Sequence, residues 1–316
     1  MNIAQREMLA NLAQDYYLSN LSLADLTEKY HLSRYLINKY LDDAKLEGIV
    51  TINIASPTAR NLELEQHFEK KFNIKNCYII KDTVNPNDNE ENIIKYAAKQ
   101  IELLIAQSHI VGTTWGETIY NITSHFETSI LEDVKFTQFM GENMKYNSAA
   151  GSMRMVERVA SKFSAEYITM VGPLYITDDR TRIGLVREIS SQPAFAAASR
   201  MDLIFAGFGT LSSVNSIPAW RQNINKIFPN ISLDQIAGML YGRPYDIYGN
   251  FLNVNDDKIF GIDLPTVLAT PRRFCVLKSK FKTRAALGAL RGNMLTDFVT
   301  NESLAHRILT EMAIAD

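Results

Sequence analysis

The sequence predicts an α/β protein in which a small N-terminal winged helix-turn-helix unit precedes a larger, doubly wound domain. Three observations predict this. Residues 21–54 carry two short amphipathic helical patterns and then a β-branched segment. From residue 76 onward, short apolar runs alternate with helical periodicity, as is typical of a parallel sheet covered by helices on both faces. A chain of 316 residues is also long enough for two domains, which we place at residues 1–56 and 57–316.

The composition indicates a globular intracellular protein. Apolar residues make up 46% of the chain and charged residues 22%, with a formal net charge of −2. Such a balance gives no global attraction to nucleic acid or to a membrane. Cys77 and Cys275 lie in apolar runs, which indicates buried thiols in a reducing compartment. Neither a secretion signal nor a membrane-spanning run is apparent, so we expect a cytoplasmic protein.

The N-terminal unit is predicted to contain three helices. Residues 3–17 form the first. Ser22 and Asp25 have the spacing of a capping box at the start of the second, and Ser33 can cap the third. The third helix is expected to end at Gly48, and residues 50–54 then form the wing. One stripe of the third helix is apolar, formed by Leu36, Ile37, Tyr40, Leu41 and Ala44.

The opposite side of the third helix carries side chains suited to DNA. Arg34 can bridge the acceptors of guanine, Asn38 can pair with adenine, and Lys39 and Tyr35 can hold phosphate, with Ser33 at the helix start. We predict that these five residues contact the major groove of double-stranded DNA.

Charge leaves an alternative open. Residues 1–56 hold five basic and seven acidic side chains, which is not the basic surface expected of a DNA-binding unit. An ordinary helical hairpin would also fit this pattern. Residues 33–41, however, hold two positive charges and no acid, so the potential can be local.

The larger domain is predicted to begin after a boundary at residues 55–57. An amphipathic helix over residues 59–72 either links the domains or pairs with its copy in an oligomer. The predicted strands cover residues 77–80, 109–112, 134–140, 203–208 and 274–277. The predicted helices cover residues 90–106, 117–126, 149–163, 181–199 with an interruption at Pro193, 233–240, 283–291 and 302–312.

A glycine- and threonine-rich turn follows the second of these strands. In the sequence IVGTTWGET, residues 110–118, a buried-type strand ends at Gly112 and a helix starts after Gly116. Such a turn directs backbone N–H groups and a helix N-terminus at an anion, and ligands of open α/β sheets bind at the carboxyl ends of strands. Thr113, Thr114 and Thr118 add hydroxyl donors. The turn predicts an anion site, unless its glycines serve backbone geometry alone.

Further candidates lie later in the chain. Gly207 and Gly209 follow another predicted strand and would reach the same sheet edge. Asp246 either accepts hydrogen bonds from sugar hydroxyls or starts a turn at residues 249–250. Lys282, just before a helix, either pairs with a phosphate or is simply solvated.

Catalytic and metal chemistry have little support. The five histidines are scattered, and neither an HExxH pattern nor a GxSxG elbow is present. We therefore predict no catalytic residues, no metal site and no cofactor.

Taken together, the segments resemble the SorC family of bacterial sugar-responsive transcription regulators over nearly the whole chain. The similarity rests on the helix-turn-helix and on the number, order and spacing of later segments: VGTTWGET at 111–118, MGEN at 140–143, VGPLYI at 171–176, LIFAGFGT at 203–210, YDIYG at 245–249, KTRAALGALRGNML at 282–295 and TNESLAHRIL at 300–309. Three positions depart from the family pattern: Trp115 in the turn, Asn301 in place of Asp, and the lack of glycines shortly before Lys282.

The resemblance implies a fold and a set of ligand residues. It implies a large domain similar to the sugar-phosphate isomerase and deaminase fold, used to sense a sugar or sugar phosphate. Operator binding would then change in a homodimer or homotetramer. The Gly112–Thr118 turn would hold phosphate, Asp246 sugar hydroxyls and Lys282 the anionic group, and Glu302 falls in a signature segment of the family.

We therefore expect a DNA-binding regulator of a carbohydrate-utilisation operon. Two alternatives remain: an enzyme of the sugar-phosphate isomerase or deaminase type, and a regulator controlled by a protein partner.

Overall fold

The computed structural model describes residues 3–51, 59–143 and 152–315. Contacts divide the chain into two compact units, Met1–Pro57 and Thr58–Asp316. Each unit has its own apolar core.

The N-terminal unit contains α1 (Ile3–Tyr17), α2 (Leu23–Tyr30) and α3 (Arg34–Leu46). Ser22 and Asp25 form the predicted capping box of α2, and the Ser33 hydroxyl accepts a hydrogen bond from the Leu36 N–H at 3.3 Å. His31 ends α2 in the left-handed region at φ 52°, which produces the tight turn into α3. The three helices bury a small apolar core formed by Leu9, Leu12, Ala13, Leu26, Ile37, Leu41 and Ala44.

The end of α3 agrees with the predicted glycine stop. Gly48 has φ +68°, a conformation that a side chain would strain. The N–H groups of Ile49 and Val50 then both bond to the Ala44 carbonyl. Residues 52–54 of the predicted wing, and the predicted boundary at 55–57, lie outside the described residues.

The C-terminal unit alternates strands and helices, as predicted. Its elements are, in chain order, α4 Leu62–Phe72, β1 Asn76–Ile80, α5 Pro86–Ile105, β2 Ile110–Thr113, α6 Glu117–Ser124, β3 Lys135–Thr137, α7 Ser152–Lys162, β4 Glu166–Ile168, α8 Asp179–Arg187, α9 Gln192–Ala198, β5 Leu203–Gly207, α10 Leu211–Asn215, α11 Pro218–Gln222, α12 Ile224–Ile227, β6 Gly238–Leu240, β7 Arg243–Tyr245, α13 Leu264–Ala269, β8 Arg272–Val276, α14 Thr283–Arg291, β9 Asp297–Asn301 and α15 Glu302–Ala315. Short 3₁₀ helices cover Leu233–Gln235 and Lys280–Lys282.

The main sheet has seven strands in the order β1-β9-β8-β5-β2-β3-β4, and all of its pairs are parallel. From β2 the chain proceeds to β3 on one side, whereas from β5 it returns to β8 on the other. The adjacent strands β2 and β5, aligned through Val111 and Leu203, therefore form the topological switch point of the sheet. Ligands of open α/β sheets bind in the crevice at such a point.

The helix α4 packs against its own unit. Asn61 caps it by accepting a hydrogen bond from the Leu64 N–H at 3.1 Å. Phe68 is fully buried and stacks on Phe298 with ring centroids 6.4 Å apart. A buried aromatic side chain of this kind contributes roughly 1.5–3 kcal/mol to folding. The apolar side of α4 thus serves the core of the C-terminal unit.

Two predicted helices differ from the structure. The helix predicted over residues 233–240 is wrong: these residues form a 3₁₀ turn and then β6, which pairs antiparallel with β7. The reason is tertiary, since a Cβ at Gly238 would lie 2.3 Å from the Tyr245 hydroxyl, and Met239 also pairs with Gly209. The helix predicted over 181–199 is two helices, α8 and α9, with Pro193 in the first turn of α9.

Two strands of the main sheet, β4 and β9, were missing from the prediction. The edge strand β4 is short and half polar. The strand β9 is fully buried, yet it carries Asp297, Thr300 and Asn301. Asp297 is accommodated in the core because Arg272 and Asn76 both donate hydrogen bonds to its carboxylate. A buried carboxylate of this kind needs such partners.

Candidate functional site

A cavity of about 580 Å³ opens at the carboxyl ends of β2, β5 and β8 in the C-terminal unit. It lies at the switch point of the sheet, where the topology predicts a ligand. Its volume is within the range of about 300–1,000 Å³ that is usual for small-molecule sites. The cavity wall includes six of the predicted ligand residues: Thr114, Gly116, Thr118, Gly207, Gly209 and Lys282.

The turn between β2 and α6 forms one wall of this cavity. Gly116 is the N-cap of α6 with φ +114°, and no side chain of the described residues caps the first N–H groups of this helix. Uncapped N–H groups at a helix start favour an anion. Thr114 is fixed beneath the turn, since its hydroxyl and its N–H both donate to the Phe205 carbonyl, at 3.3 Å and 3.4 Å.

The β5 turn approaches this wall closely. A Cβ at Gly207 would lie 3.2 Å from the Cβ of Thr118, so a glycine permits the contact between β5 and α6. Gly209 exchanges two backbone hydrogen bonds with Met239, at 2.9 Å and 3.0 Å. These contacts fix the floor of the cavity.

Two predicted turn residues do not line the cavity. Gly112 lies within β2, and a Cβ there would be 2.1 Å from the sulfur of Met201, so this glycine serves packing. Thr113 is buried, and its hydroxyl donates to the Thr114 carbonyl at 2.9 Å. The predicted anion turn is therefore limited to residues 114–118.

Lys278 lies on the cavity wall in a network of charges. Its ammonium donates to Glu90 and, at 3.0 Å, to Glu117, although the side chain is only 9% exposed. Burial opposes its charge, but the two carboxylates outweigh that effect and raise the pKa of Lys278. The hydrogen bond from Lys278 lowers the pKa of Glu117 in turn.

Lys282 lines the same cavity but, unlike Lys278, has no carboxylate partner among the described residues. Within the part of the chain that the structure describes, its side chain forms neither a hydrogen bond nor an ion pair. Burial lowers the pKa of Lys282 from 10.5, and the nearby Lys278 ammonium lowers it further. An anion placed beside Lys282 would relieve this unfavourable environment.

Asp246 lies away from the cavity wall. Its carboxylate accepts hydrogen bonds from the backbone N–H groups of Tyr248 and Asn250, at 2.9 Å and 2.8 Å, and from the Asn250 amide. These bonds close a turn around Gly249, which has φ +94° and would clash with Gly292 if it bore a Cβ. The prediction that Asp246 meets sugar hydroxyls is not consistent with this position. Of the two roles considered, the structure favours turn formation.

Glu302 is also outside the cavity. Its carboxylate accepts hydrogen bonds from the Asn61 amide at 2.7 Å and from the Asp82 N–H at 3.0 Å. Asp82 in turn accepts a hydrogen bond from the Ser303 N–H at 3.0 Å, in the first turn of α15. The family signature at residues 300–302 therefore ties the ends of β1 and β9 to the last helix.

Several residues of the cavity escaped the sequence analysis. Glu90 and Glu117 belong to the charge network, and Trp115, Tyr175 and Trp220 supply aromatic walls. Glu117 lies within the predicted turn, directly after Gly116, which was a usable signal. Lys278 and Glu90 are 188 residues apart, so no local pattern joins them.

The predicted DNA face is exposed on α3. The side chains of Arg34, Asn38 and Lys39 form neither hydrogen bonds nor ion pairs with the described residues, and Tyr35 is 75% exposed. Ser33 is occupied by capping α3. The opposite face, with Ile37 and Leu41, is buried in the unit. The geometry leaves the four remaining side chains available to a ligand of this face.

Two features are absent from the residues that the structure describes. Among residues 3–51, 59–143 and 152–315, no group of three His, Cys, Asp or Glu side chains could hold a metal ion. No helix in those ranges is both long and apolar enough to cross a membrane.

The chain is similar to a known domain family and to known transcription regulators. A family described as "Putative sugar-binding domain" matches residues 56–310. The sorbitol operon regulator of Klebsiella pneumoniae is 22% identical over 313 residues, covering 96% of this chain and 97% of that protein. The deoxyribonucleoside regulator of Bacillus subtilis is 18% identical over 314 residues, covering 99% and 100%.

The fold also matches a solved structure. The crystal structure of the full-length sorbitol operon regulator SorC of Klebsiella pneumoniae aligns with a TM-score of 0.68 at 20% identity. The alignment covers 97% of this chain and 99% of that one. The expected architecture, with a helix-turn-helix before a parallel α/β domain, is thus confirmed.

Proposed function

Since the chain belongs to the SorC family of sugar-responsive transcription regulators, we propose that its N-terminal unit binds double-stranded operator DNA in the cytoplasm. A sugar or sugar phosphate in the cavity of the C-terminal unit modulates that binding and so controls a carbohydrate-utilisation operon. The observation that carries the proposal is a cavity at the sheet switch point with an ammonium, Lys282, that has no partner among the described residues.

DNA recognition is assigned to α3. Arg34 and Asn38 are exposed four residues apart, so both lie on one face of the helix and can reach base edges together. Lys39 and Tyr35 flank them and suit phosphate contacts. Ser33 acts through the cap that orients the helix.

Effector recognition is assigned to the residues around Lys282. Its ammonium and the uncapped N–H groups after Gly116 supply positive potential for an anionic group. Thr118 and Thr114 lie at the same wall. A phosphate would pair with Lys282 at little cost, because that ammonium has no partner to lose among the described residues.

Coupling between the two units requires differential affinity. The effector changes operator binding only if it binds one arrangement of the protein more tightly than another. We propose that the arrangements are those of a homodimer or homotetramer, which place two recognition helices at different separations. DNA half-sites one helical turn apart would bind only the arrangement whose two recognition helices have the matching separation.

We propose further that the effector is sensed without conversion. Glu90 and Glu117 are the carboxylates of the cavity wall among the described residues, and both are bonded to Lys278. A general base must have its lone pair directed at the substrate, whereas these carboxylates are directed at Lys278. The side chains of the described residues also leave this cavity open, which favours a small-molecule effector over control by a protein partner alone.

Ligand screening tests the effector assignment directly. The chain has two tryptophans, Trp115 and Trp220, and both line the cavity, so intrinsic fluorescence reports on its occupancy. Full-length protein would be titrated with free and phosphorylated sugars, and thermal shift would be measured in parallel. A ligand at 100 times its Kd should add about 2.7 kcal/mol to the free energy of unfolding. Absence of any response across both sets would contradict the effector assignment.

A further inference from the structure

The effector cavity has two chemically different ends. At the polar end, Lys278, Lys282 and Glu117 form one charged group beside the start of α6. The other end lies on the side of β3, which is three strands from β8 in the sheet, because residues 172–174, just before Tyr175, pair with the segment that follows β3. There Trp220 and Tyr175 pack edge to face, with ring centroids 4.9 Å apart. The two ends are parts of one continuous cavity.

The walls of the second end are almost entirely apolar. Besides Trp220 and Tyr175, they include Met140, Leu174, Met239 and Tyr241. All of these side chains are at least nine-tenths buried in the protein, and only their cavity faces remain accessible. Aromatic and thioether side chains of this kind favour contact with flat apolar groups.

The tyrosine hydroxyls at this end are already used. The Tyr175 hydroxyl donates to the Gly242 carbonyl at 2.7 Å. The Tyr241 hydroxyl donates to the Met294 carbonyl at 2.9 Å. Neither proton is therefore available for a sugar oxygen. Besides the charged residues, the polar side chains of the wall are Thr114, Thr118, Asn143, Ser213 and Ser279. Thr114, Thr118 and Ser279 belong to the turns beside the lysines, so few polar side chains remain for the end near Trp220.

A simple sugar phosphate fits only part of this surface. Hydroxyl groups placed against the apolar walls would lose hydration without gaining hydrogen bonds, which is unfavourable. A flat apolar substituent would instead exclude water from the Trp220 and Tyr175 surfaces and gain free energy in proportion to the area it buries.

We propose that the effector of this protein is a sugar phosphate that carries a flat apolar substituent. This inference rests on the proposed function and narrows its ligand class. Two sources supply a flat ring of this kind: an aryl glycoside phosphate, and a nucleoside monophosphate, whose base is apolar on its faces only and would stack through them. In both, the phosphate would lie near Lys282, the sugar in the middle of the cavity, and the ring beside Trp220.

Calorimetric titration of the full-length protein with two matched pairs of ligands tests this inference. One pair is glucose 6-phosphate and phenyl β-glucoside 6-phosphate. The other is deoxyribose 5-phosphate and thymidine 5′-monophosphate. In at least one pair, we expect the Kd of the ring-bearing ligand to be lower than that of its partner by a factor of about ten or more. The pair that shows the difference identifies the source.

Two variants test where the ring binds. Met239→Gln keeps the side-chain length and adds an amide at the apolar end, and Val214→Thr adds a hydroxyl to a cavity-lining side chain without changing its shape. Either should weaken binding of the ring-bearing ligand far more than binding of its bare partner, and so remove most of the preference. Met312→Gln, on α15 and outside this cavity, is the matched control and should preserve the preference.

The possible failures are distinguishable. If the bare sugar phosphates bind as tightly as their ring-bearing partners, the inference is overturned and the proposed function stands. Should the preference persist unchanged in both cavity variants, the assignment to the apolar end is overturned. If none of the four ligands binds, the inference is overturned, and the broader screen of free and phosphorylated sugars decides the proposed function separately.

Discussion

The Glu117 carboxylate lies 3.0 Å from the Lys278 ammonium at the first residue of α6. A helix N-terminus attracts negative charge, and here a side chain of the protein itself supplies that charge. The Glu117 side chain is 79% exposed, so it is free to move aside. An anionic effector entering the cavity would therefore compete with Glu117 for the same positive region.

The first prediction concerns that competition. Glu117→Gln removes one negative charge from the polar end of the cavity and leaves the side-chain length unchanged. We expect the affinity for a phosphorylated ligand to rise by up to about fivefold, since an ion pair with an exposed carboxylate contributes at most about 1 kcal/mol. Calorimetric titration of both proteins with the same ligand measures this change.

A matched substitution elsewhere serves as the control for Glu117→Gln. Glu91 also forms exposed ion pairs, with Lys95 and His125, but is not part of the cavity wall. Glu91→Gln should leave the affinity unchanged. An equal or weaker affinity in Glu117→Gln would contradict the competition.

Lys282 should make anion binding depend on pH. Its pKa is lowered from 10.5 in the free protein, mainly by burial, and a bound anion would raise it again. Binding therefore takes up a proton in the interval between the two values. Affinity should be highest where Lys282 is fully charged and should fall as the pH rises through its lowered pKa. Titrations at several pH values between 7 and 10 would show this decrease.

Two variants at this position identify the titrating group. Lys282→Met should bind the phosphorylated ligand weakly at every pH. Lys282→Arg keeps its charge throughout the interval, so its affinity should not decline. A decline that persists in the arginine variant would assign the effect to a different group.

Asp246 is expected to affect stability and not effector binding. Asp246→Ala removes the acceptor of two backbone N–H groups and one amide, which should cost about 1–2 kcal/mol of the free energy of unfolding. Effector affinity should stay within about twofold of the original protein. Denaturant unfolding and calorimetric titration measure the two effects.

Asp246→Asn retains one oxygen acceptor and should restore part of the lost stability. Asp133→Ala, at an exposed site outside the cavity, is the surface control. Loss of effector affinity in Asp246→Ala at unchanged stability would return Asp246 to the binding site.

The face of α3 gives a prediction on DNA. Arg34→Ala and Asn38→Ala should each weaken specific operator binding by about 1–3 kcal/mol if these side chains read bases. Both are exposed and bonded to no described side chain, so folding should be little affected. Fluorescence anisotropy with operator and with unrelated DNA measures the specific part. Arg6→Ala, an exposed position on α1, should change specific binding much less.

Local patterns in the sequence predicted the N-terminal unit well. Ser22, Asp25 and Ser33 act within three residues of themselves, so their capping roles are visible in the sequence. The strand-to-helix turn at residues 114–118 is equally local, because Gly116 needs a positive φ where it stands. Six of the ten predicted effector residues line the cavity, and three of these six belong to this turn.

The parts of the fold and of the cavity that were not predicted depend on contacts between residues far apart in the sequence. Such contacts leave no pattern in the local sequence. The strand β9 is stable despite its polar residues because Arg272 pairs with Asp297 from a neighbouring strand. The charges of the cavity meet only after α5, α6 and the segment that follows β8 are brought together, as the Glu90–Lys278 pair illustrates. An acid before a glycine turn is typical both of a turn start and of a ligand-binding residue, so the sequence around Asp246 left its role open.

The most direct test of the central claim is operator binding measured with and without effector. Full-length protein would be titrated onto the DNA that flanks its own gene, in the absence and presence of the tightest-binding sugar phosphate, with Lys282→Met as the insensitive control. We predict specific binding whose affinity changes about fivefold or more with the ligand, an allosteric coupling of at least ~1 kcal/mol. Specific binding that the ligand leaves unchanged, or no specific binding under either condition, would contradict a sugar-responsive regulator.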